Sequence, residues 1–288
     1  MTVTLSAAVT TWQFVPLVAV PVAVLALCYL TAARRRGCRG RRAAPGRGPA
    51  RPWPAVRTLA FLGGLSAVIV ATQGWVGVHD DASLADHMIQ HLLLIMVAPP
   101  LLIAGRPVTL LLHTVGNPWH TRVKRIIRSR AVAALIWPPA GVALYSTAVL
   151  GTHLTGLVLA RGAAHDAEHG AYLLAGYLYF LPIVGSEPLR WRLPLLGRYL
   201  LLLAGMPADL VTGAVLMLRG PLGPYGAADV RAAGITMLAG GDLIMTGLAV
   251  ALAVALLTGR ARRAVGAEDL AGYNAFLASL ETPGRSED

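Results

Sequence analysis

Long apolar runs recur along this chain, and they constrain its fold more than any other feature. A transmembrane α-helix needs about 20 consecutive apolar residues, because the hydrocarbon core of a bilayer is about 30 Å thick. Backbone N–H and C=O groups find no water in that core, so open chains are costly there and helices are favoured. The sequence predicts an all-α, polytopic membrane helix bundle with seven transmembrane helices, at residues 11–33, 57–78, 85–104, 131–151, 166–185, 197–218 and 233–258.

Composition supports a membrane protein. Of the 288 residues, 56% are hydrophobic and only 14% are charged, whereas soluble domains carry about 25% charged residues. Prolines inside the predicted spans are expected to kink the helices rather than end them. The two cysteines, Cys28 and Cys38, form no C-x-x-C pair, which argues against a thiolate metal site or a disulfide framework.

The distribution of positive charge predicts the orientation. With seven spans, 22 of the 25 lysines and arginines fall on one side of the membrane. Cytoplasmic loops carry such an excess, so we expect the N-terminus outside and the C-terminus in the cytoplasm of a multi-pass cell-membrane protein. The +11 net charge then indicates topology and contact with membrane lipids, with no nucleic acid as partner. The predicted organisation is a transmembrane domain at 1–263, with a basic loop at 34–57 and a basic interfacial helix at about 117–130, followed by a polar cytoplasmic tail at 264–288.

Two pairs of histidines mark a candidate metal site. His87 and His91 open the third span, and His165 and His169 open the fifth. Residues four apart share one face of a helix, and neutral imidazole suits copper, zinc and iron. Both pairs belong to the outer side in the predicted topology. If the two helices meet, the four histidines are the predicted ligands of a metal that faces outside.

Further polar residues surround this predicted site. Flanking acids at Asp86, Asp166 and Glu168 are placed to accept the second ring N–H of the ligands. His79 and His153 each stand alone, which favours solvated loop residues, although their outer position keeps them as extra candidate ligands. Deeper in the membrane, a charged residue is a functional candidate by default. Candidates at that depth are Asp209 and Asp242, which could balance the charge of a metal or relay protons, and the thioether of Met237.

The stretch D-H-M-I-Q-H-L-L-L-I-M-V-A-P-P-L-L-I-A-G-R-P-V at 86–108 resembles the CtaG-type assembly proteins of caa3-type cytochrome c oxidase. H-D-A-E-H and the aromatic-rich span to P-I-V-G-S-E-P at 165–188 are similar as well, with looser matches at 202–209, 221–225 and 233–242. The resemblance implies a non-enzymatic assembly factor that handles copper on the outer face and works with cytochrome c oxidase subunits.

The residues alone leave other functions open. Zinc fits the same ligands, so a seven-span zinc hydrolase is an alternative. A b-type haem protein with one axial histidine from each helix is another. A metal permease is a third, although no track of ligands crosses the inner half. The identity of the metal and the oligomeric state, a homo-oligomer included, are not determined by the sequence.

Overall fold

The structure is a computed structural model that describes residues 11–41, 52–155, 159, 162–188, 190–191 and 193–281, with side chains omitted at 37–41, 256 and 259–281. All regular elements in these ranges are helical, apart from one isolated β-bridge between Leu222 and Tyr225. The all-α prediction is therefore confirmed for the described part of the chain. The helices are α1 Pro16–Arg41, α2 Ala55–Gln73, α3 Trp75–His79, α4 Leu84–Leu92, α5 Ala98–Ala104, α6 Pro107–Thr114, α7 Trp119–Ile127, α8 Arg130–Leu135, α9 Pro138–Thr155, α10 Ala163–Val184, α11 Leu195–Leu218 and α12 Ala227–Glu281, with a π-helical turn at Leu93–Val97.

Five segments of the described chain are long and apolar enough to cross a membrane, which supports a membrane protein. They are Pro16–Arg36, Ala55–His79, Leu84–Thr114, Leu195–Leu218 and Ala227–Ala255. The predicted spans at 131–151 and 166–185 correspond to helices of lower apolar content, because both α9 and α10 contain proline and histidine, α9 also contains threonine, and α10 also contains aspartate and glutamate. The seven-span topology and the orientation of the termini thus stay predictions.

Several predicted boundaries differ from the observed ones. Helix α1 continues to Arg41, so the basic loop predicted at 34–57 begins as helix, because five of residues 34–41 are arginine, a good helix former. The rest of that loop at 42–51 lies outside the described residues. The span predicted at 131–151 is interrupted at Ile136 and Trp137, because the residue before a proline is disfavoured in a helix and Pro138 begins α9. In the predicted tail, α12 remains helical to Glu281, and 282–288 are not described.

The chain divides into two compact units, Met1–Met245 and Thr246–Asp288. The second unit contains the remainder of α12, up to Glu281. Every residue of the candidate site described below belongs to the first unit. In that unit α10 packs against α9, the π-helical turn, α5 and α11, and α2 packs against α5.

The π-helical turn is explained by the two prolines that follow it. Proline has no N–H for the carbonyl four residues earlier, so Pro99 leaves the carbonyl of Ile95 without its usual partner. The chain widens locally, and Ala98 N donates to Leu93 O across five residues. Gly176 of α10 packs directly on the Ile95 carbonyl, where a Cβ would collide. Glycine at this position therefore lets α10 approach the helix that carries His87 and His91.

A buried carboxylate orders the start of α6. Glu187, in the loop after α10, accepts hydrogen bonds from Val108 N (2.9 Å), Thr109 N (2.9 Å) and Thr109 Oγ1 (2.5 Å). Burial raises the pKa of Glu187 above its ordinary value, and these hydrogen bonds oppose that rise. The S-E-P segment therefore ties the end of α10 to the beginning of α6.

Candidate metal centre

Helices α4 and α10 bring the two histidine pairs together. The rings of His87 and His165 stack with their centroids 5.2 Å apart and an interplanar angle of 23°. Within each pair the centroids of the two rings are 4.2 Å apart, as expected for residues one helical turn apart. The structure thus makes neighbours of two helices whose adjacency the sequence left undetermined.

The four histidines divide between two groups of three potential ligands. The first, which we call the buried group, consists of His87, His91 and Glu168, and their ligand atoms all lie within 4.8 Å of one another. His91 Nε2 is 3.5 Å from Glu168 Oε1. His91 has no exposed surface, and His87 is 3% exposed. Glu168 therefore lies among the potential ligands of this group, rather than behind a histidine.

The buried group contains polar atoms that lack hydrogen-bond partners within the described chain. They are His87 Nε2, both ring nitrogens of His91 and both carboxylate oxygens of Glu168. Leaving a buried polar group unsatisfied costs about 1–3 kcal/mol, and native structures contain few such groups. One such atom from each of the three residues lies within 4.8 Å of the other two, and all are of metal-ligating type, which fits a bound cation.

The second set, which we call the cavity group, consists of Asp80, His165 and His169. Asp80 Oδ2 is 3.7 Å from His165 Nε2. Asp80 is buried, whereas both histidines are half-buried. All three line a cavity of about 260 Å³, which Asp166 also borders. Metal ligands on this group would therefore be more accessible than those of the buried group.

A second cavity reaches the buried group from the α9 side. Its volume is about 300 Å³, and Glu168 lies in its wall. Its other lining residues are Ala148, Thr152, Ala164, Ala167, Ala171 and Tyr172. The small side chains of the four alanines leave space between α9 and α10. This cavity therefore borders Glu168 on the α9 side.

His153 is buried beside the cluster, which corrects the interpretation of it as a solvated loop residue. It is 1% exposed, and the centroid of its ring is 5.2 Å from that of His91. His79 is half-buried, and its Nδ1 bonds to Trp75 O at 3.0 Å in its own helix. His79 belongs to neither group.

The remaining predicted site residues lie outside both groups. Asp86 is half-buried in the first turn of α4, and Asp166 is exposed at the start of α10. Asp209 is buried and accepts hydrogen bonds from the Tyr145 hydroxyl at 2.8 and 3.0 Å. Asp242 is exposed on α12, and Met237 is fully buried on the same helix. Asp209 thus has a structural partner, and the charge-balancing or proton-relay roles of both aspartates stay predictions.

Sequence reasoning missed two residues that shape this centre. Asp80 joins the cavity group, and its signal was an acid directly after His79 at the end of a predicted span. Asp229, near the start of α12, accepts hydrogen bonds from Leu84 N (2.7 Å), Ala85 N (3.3 Å) and Ser83 Oγ (3.1 Å). No sequence pattern links positions 145 residues apart. Asp229 caps α4 from another helix and so fixes the helix that carries His87.

We expect Asp229→Ala to loosen the start of α4. Two backbone N–H groups lose their acceptor, which costs about 1–2 kcal/mol for a cap, and the negative charge that favours a helix N-terminus is lost. Asp229→Asn keeps an acceptor oxygen and should retain part of the effect. Hydrogen exchange of a peptide containing Leu84 and Ala85, measured by mass spectrometry, should rise in the order native, Asn, Ala. Equal protection in all three proteins would contradict the capping role.

The ligand set limits the chemistry of the site. Imidazole and carboxylate suit divalent copper and zinc, and two histidines with one glutamate form a set that catalytic zinc sites use. Haem would require histidine nitrogens to point at the iron from opposite faces of a macrocycle. His87 and His165 instead stack face to face, which disfavours them as a haem-ligating pair.

These features define a helical membrane protein with a histidine- and carboxylate-rich candidate metal centre. The chain matches the family model described as cytochrome c oxidase caa3 assembly factor (Caa3_CtaG) over residues 27–258. It therefore belongs to the caa3-type cytochrome c oxidase assembly factor family, and the resemblance noted in the sequence is confirmed.

Three similar curated proteins come from mycobacteria. The chain is 30% identical over 232 residues to Uncharacterized protein Mb0105 of Mycobacterium bovis and to Uncharacterized protein MT0111 of Mycobacterium tuberculosis. It is 29% identical over 224 residues to Uncharacterized protein ML1998 of Mycobacterium leprae. The matches cover 74% or 72% of this chain but only 32% of each relative, so the chain spans about a third of their length. No solved structure matches.

Proposed function

We propose that this protein is an assembly factor that binds copper at the histidine cluster and helps deliver it to a caa3-type cytochrome c oxidase. Membership of the assembly factor family supports the role in oxidase assembly. Oxidase subunits are then its protein partners, and it acts without catalysing a reaction. We expect seven spans, with the cluster and its metal on the outer side of the cell membrane. The outer side is assigned by charge, because 22 of the 25 basic residues fall on the other side and cytoplasmic loops carry such an excess.

One observation carries the copper proposal. Nitrogen and oxygen atoms of the buried group lack hydrogen-bond partners within the described chain, and one ligand atom from each of its three residues lies within 4.8 Å of the other two. Nitrogen-rich sites bind Cu(II) more tightly than Zn(II). The cavity group next to it offers a more open set of ligands, which suits a metal that must later leave.

Metal analysis tests this proposal. The full chain, purified in detergent and supplied with Cu(II), is expected to retain near-stoichiometric copper by mass spectrometry. A His87→Ala/His91→Ala variant should lose most of that copper, because it removes two of the three ligands of the buried group. The matched control is His113→Ala/His120→Ala, which removes two histidines that belong to neither group and should keep the copper.

Cellular measurements complete the test. Cells that produce the His87→Ala/His91→Ala variant should contain oxidase with less copper and lower activity than cells producing the control variant. Equal copper in both purified variants would contradict the ligand assignment. Equal oxidase copper in both strains would contradict the delivery role.

A zinc hydrolase is the second candidate, and one observation favours it. The buried group has the two-histidine, one-glutamate composition of catalytic zinc sites, which keep a further position open for water, and a cavity of about 300 Å³ reaches Glu168. Zinc retained in preference to copper, together with hydrolysis of a lipid amide lost in the His87→Ala/His91→Ala variant, would favour this function over copper delivery.

A further inference from the structure

Met88 and His153 contact one another, and neither residue belongs to the two histidine pairs. Met88, on α4, lies one residue after His87, and His153 is in the last turn of α9. The thioether sulfur of Met88 is 3.2 Å from His153 Nε2. Both side chains are almost completely buried, at 0% and 1% exposure. The two atoms therefore face one another in a place closed to solvent.

The position of the proton on His153 determines what this contact means. Its Nδ1 is 2.7 Å from the carbonyl oxygen of Val149. Two hydroxyl oxygens lie farther from Nδ1, Thr152 Oγ1 at 3.1 Å and the Tyr172 hydroxyl at 3.3 Å. A carbonyl oxygen only accepts hydrogen bonds, so the shortest contact, to Val149, assigns the proton of the neutral imidazole to Nδ1. His153 Nε2 consequently presents a lone pair, and the sulfur of Met88 is also an electron-pair donor. Two lone pairs held against each other need a cation between them to become favourable.

The second ring nitrogen of a metal-binding histidine is commonly fixed in this way. Histidine ligands donate their other N–H to a backbone carbonyl or a carboxylate, which sets the tautomer and raises the basicity of the ligating nitrogen. His153 has this arrangement with Val149 already in place. Nearby, His91 brings two nitrogens without hydrogen-bond partners among the described residues, and its ring centroid is 5.2 Å from that of His153. Met88 and His91 are three residues apart and so share a helix face.

We propose that Met88, His153 and His91 form a site for a soft monovalent metal ion, Cu(I), beside the buried group. Thioether ligands select Cu(I), whereas carboxylates suit harder ions. This site contains a thioether and imidazoles, and Glu168, whose Oε1 is 3.5 Å from His91 Nε2, provides the harder ligand of the buried group. His91 is the shared residue, so a Cu(I) ion could pass between the two sites by exchange of one ligand at a time, with no change of oxidation state. The inference rests on the proposed copper function and specifies the oxidation state of the copper that is handled.

X-ray absorption at the copper edge tests the site, because it distinguishes a sulfur ligand of copper from nitrogen and oxygen ligands. The full chain in detergent, with Cys28→Ser and Cys38→Ser to remove the thiols, is loaded with Cu(I) under anaerobic conditions. We expect a sulfur scatterer that is absent in Met88→Leu and retained in Met245→Leu, which changes another buried methionine. Leucine conserves the volume of methionine well, so both variants should fold, and their thermal unfolding temperatures verify this.

Competition with bicinchoninate, a Cu(I) chelator, supplies the second readout. Met88→Leu should weaken Cu(I) binding by about tenfold or more and leave Cu(II) binding nearly unchanged, while Met245→Leu changes neither. The inference is overturned by a native protein with only nitrogen and oxygen scatterers, by a sulfur scatterer that survives Met88→Leu, or by the absence of Cu(I) binding.

The inference and the proposed function fail separately. Cu(I) bound without sulfur, in a protein whose His87→Ala/His91→Ala variant lowers oxidase copper, removes the thioether site and keeps the function. A sulfur scatterer that depends on Met88, in a protein whose variants leave oxidase copper unchanged, keeps the site and removes the function.

Discussion

A variant in which the buried group is replaced by apolar residues should resist thermal unfolding better than the native chain when no metal is present. In His87→Leu/His91→Leu/Glu168→Met, the five buried atoms without partners are exchanged for apolar groups of similar size. Each such atom costs about 1–3 kcal/mol, and replacing polar groups by apolar ones of the same shape relieves that cost. We therefore expect a rise of several degrees, since about 1 kcal/mol shifts the unfolding temperature by roughly 2–4 °C in a chain of this size.

Copper should narrow the difference between the two proteins. A ligand that binds only the folded state adds about 2.7 kcal/mol of stability at one hundred times its dissociation constant. The native chain should gain this from Cu(II), whereas the triple variant should gain much less, because only the cavity group remains to bind the ion. Both are compared by scanning fluorimetry in the same detergent, after chelation and after Cu(II) addition.

The control separates this effect from added hydrophobicity alone. His113→Leu places leucine at an exposed position outside the cluster, and it should change neither the metal-free unfolding temperature nor the response to Cu(II). A triple variant that unfolds below the native chain in the absence of metal would show that the buried group is satisfied without a cation. The metal proposal would then lose its main support.

Periodicity predicted the local part of the centre and not its three-dimensional arrangement. The spacing of His87 and His91 follows from the helical repeat, so a sequence shows that they share a face. Which pair contacts which carboxylate depends on how α4 and α10 are rotated about their axes. That rotation is set by packing at Gly176 and by the cap that Asp229 provides from α12. The sequence therefore indicated one site with four histidines, whereas the structure places two histidines in each of two groups.

Two residues of the centre were not recognised from the sequence, and the reason is the same for both. Met88 and His153 look unremarkable one at a time, because a membrane methionine usually packs and a lone histidine near a span end is usually solvated. Their meaning lies in a contact between residues 65 positions apart, and no local pattern encodes it. Asp242 shows the reverse case, since an acid in an apolar span suggested function and the structure leaves its side chain exposed on α12.

Gly176→Ala should disrupt both the fold and the metal centre. A Cβ at this position would collide with the carbonyl oxygen of Ile95 and lie 2.9 Å from the ring of Pro99. The obstacle is a backbone carbonyl of the π-helical turn. Backbone cannot move aside as the end of a flexible side chain would. Overpacking of this kind costs about 1–3 kcal/mol, and occasionally more. Because α10 also carries Glu168, displacement of α10 should separate that carboxylate from His91 and lower copper retention.

Gly170→Ala is the matched comparison, since it makes the same change in the same helix at a position where a Cβ meets nothing within 4 Å. Alanine is the better helix former by about 1 kcal/mol, so this variant should be at least as stable as the native chain and should keep its copper. Thermal unfolding and bound copper are measured on both variants after purification in one detergent. If Gly176→Ala matches Gly170→Ala in both quantities, the close approach of α10 to the π-helical turn does not position the metal ligands. If it loses copper at an unfolding temperature near that of the native chain, the approach determines the geometry of the site more than the stability of the bundle.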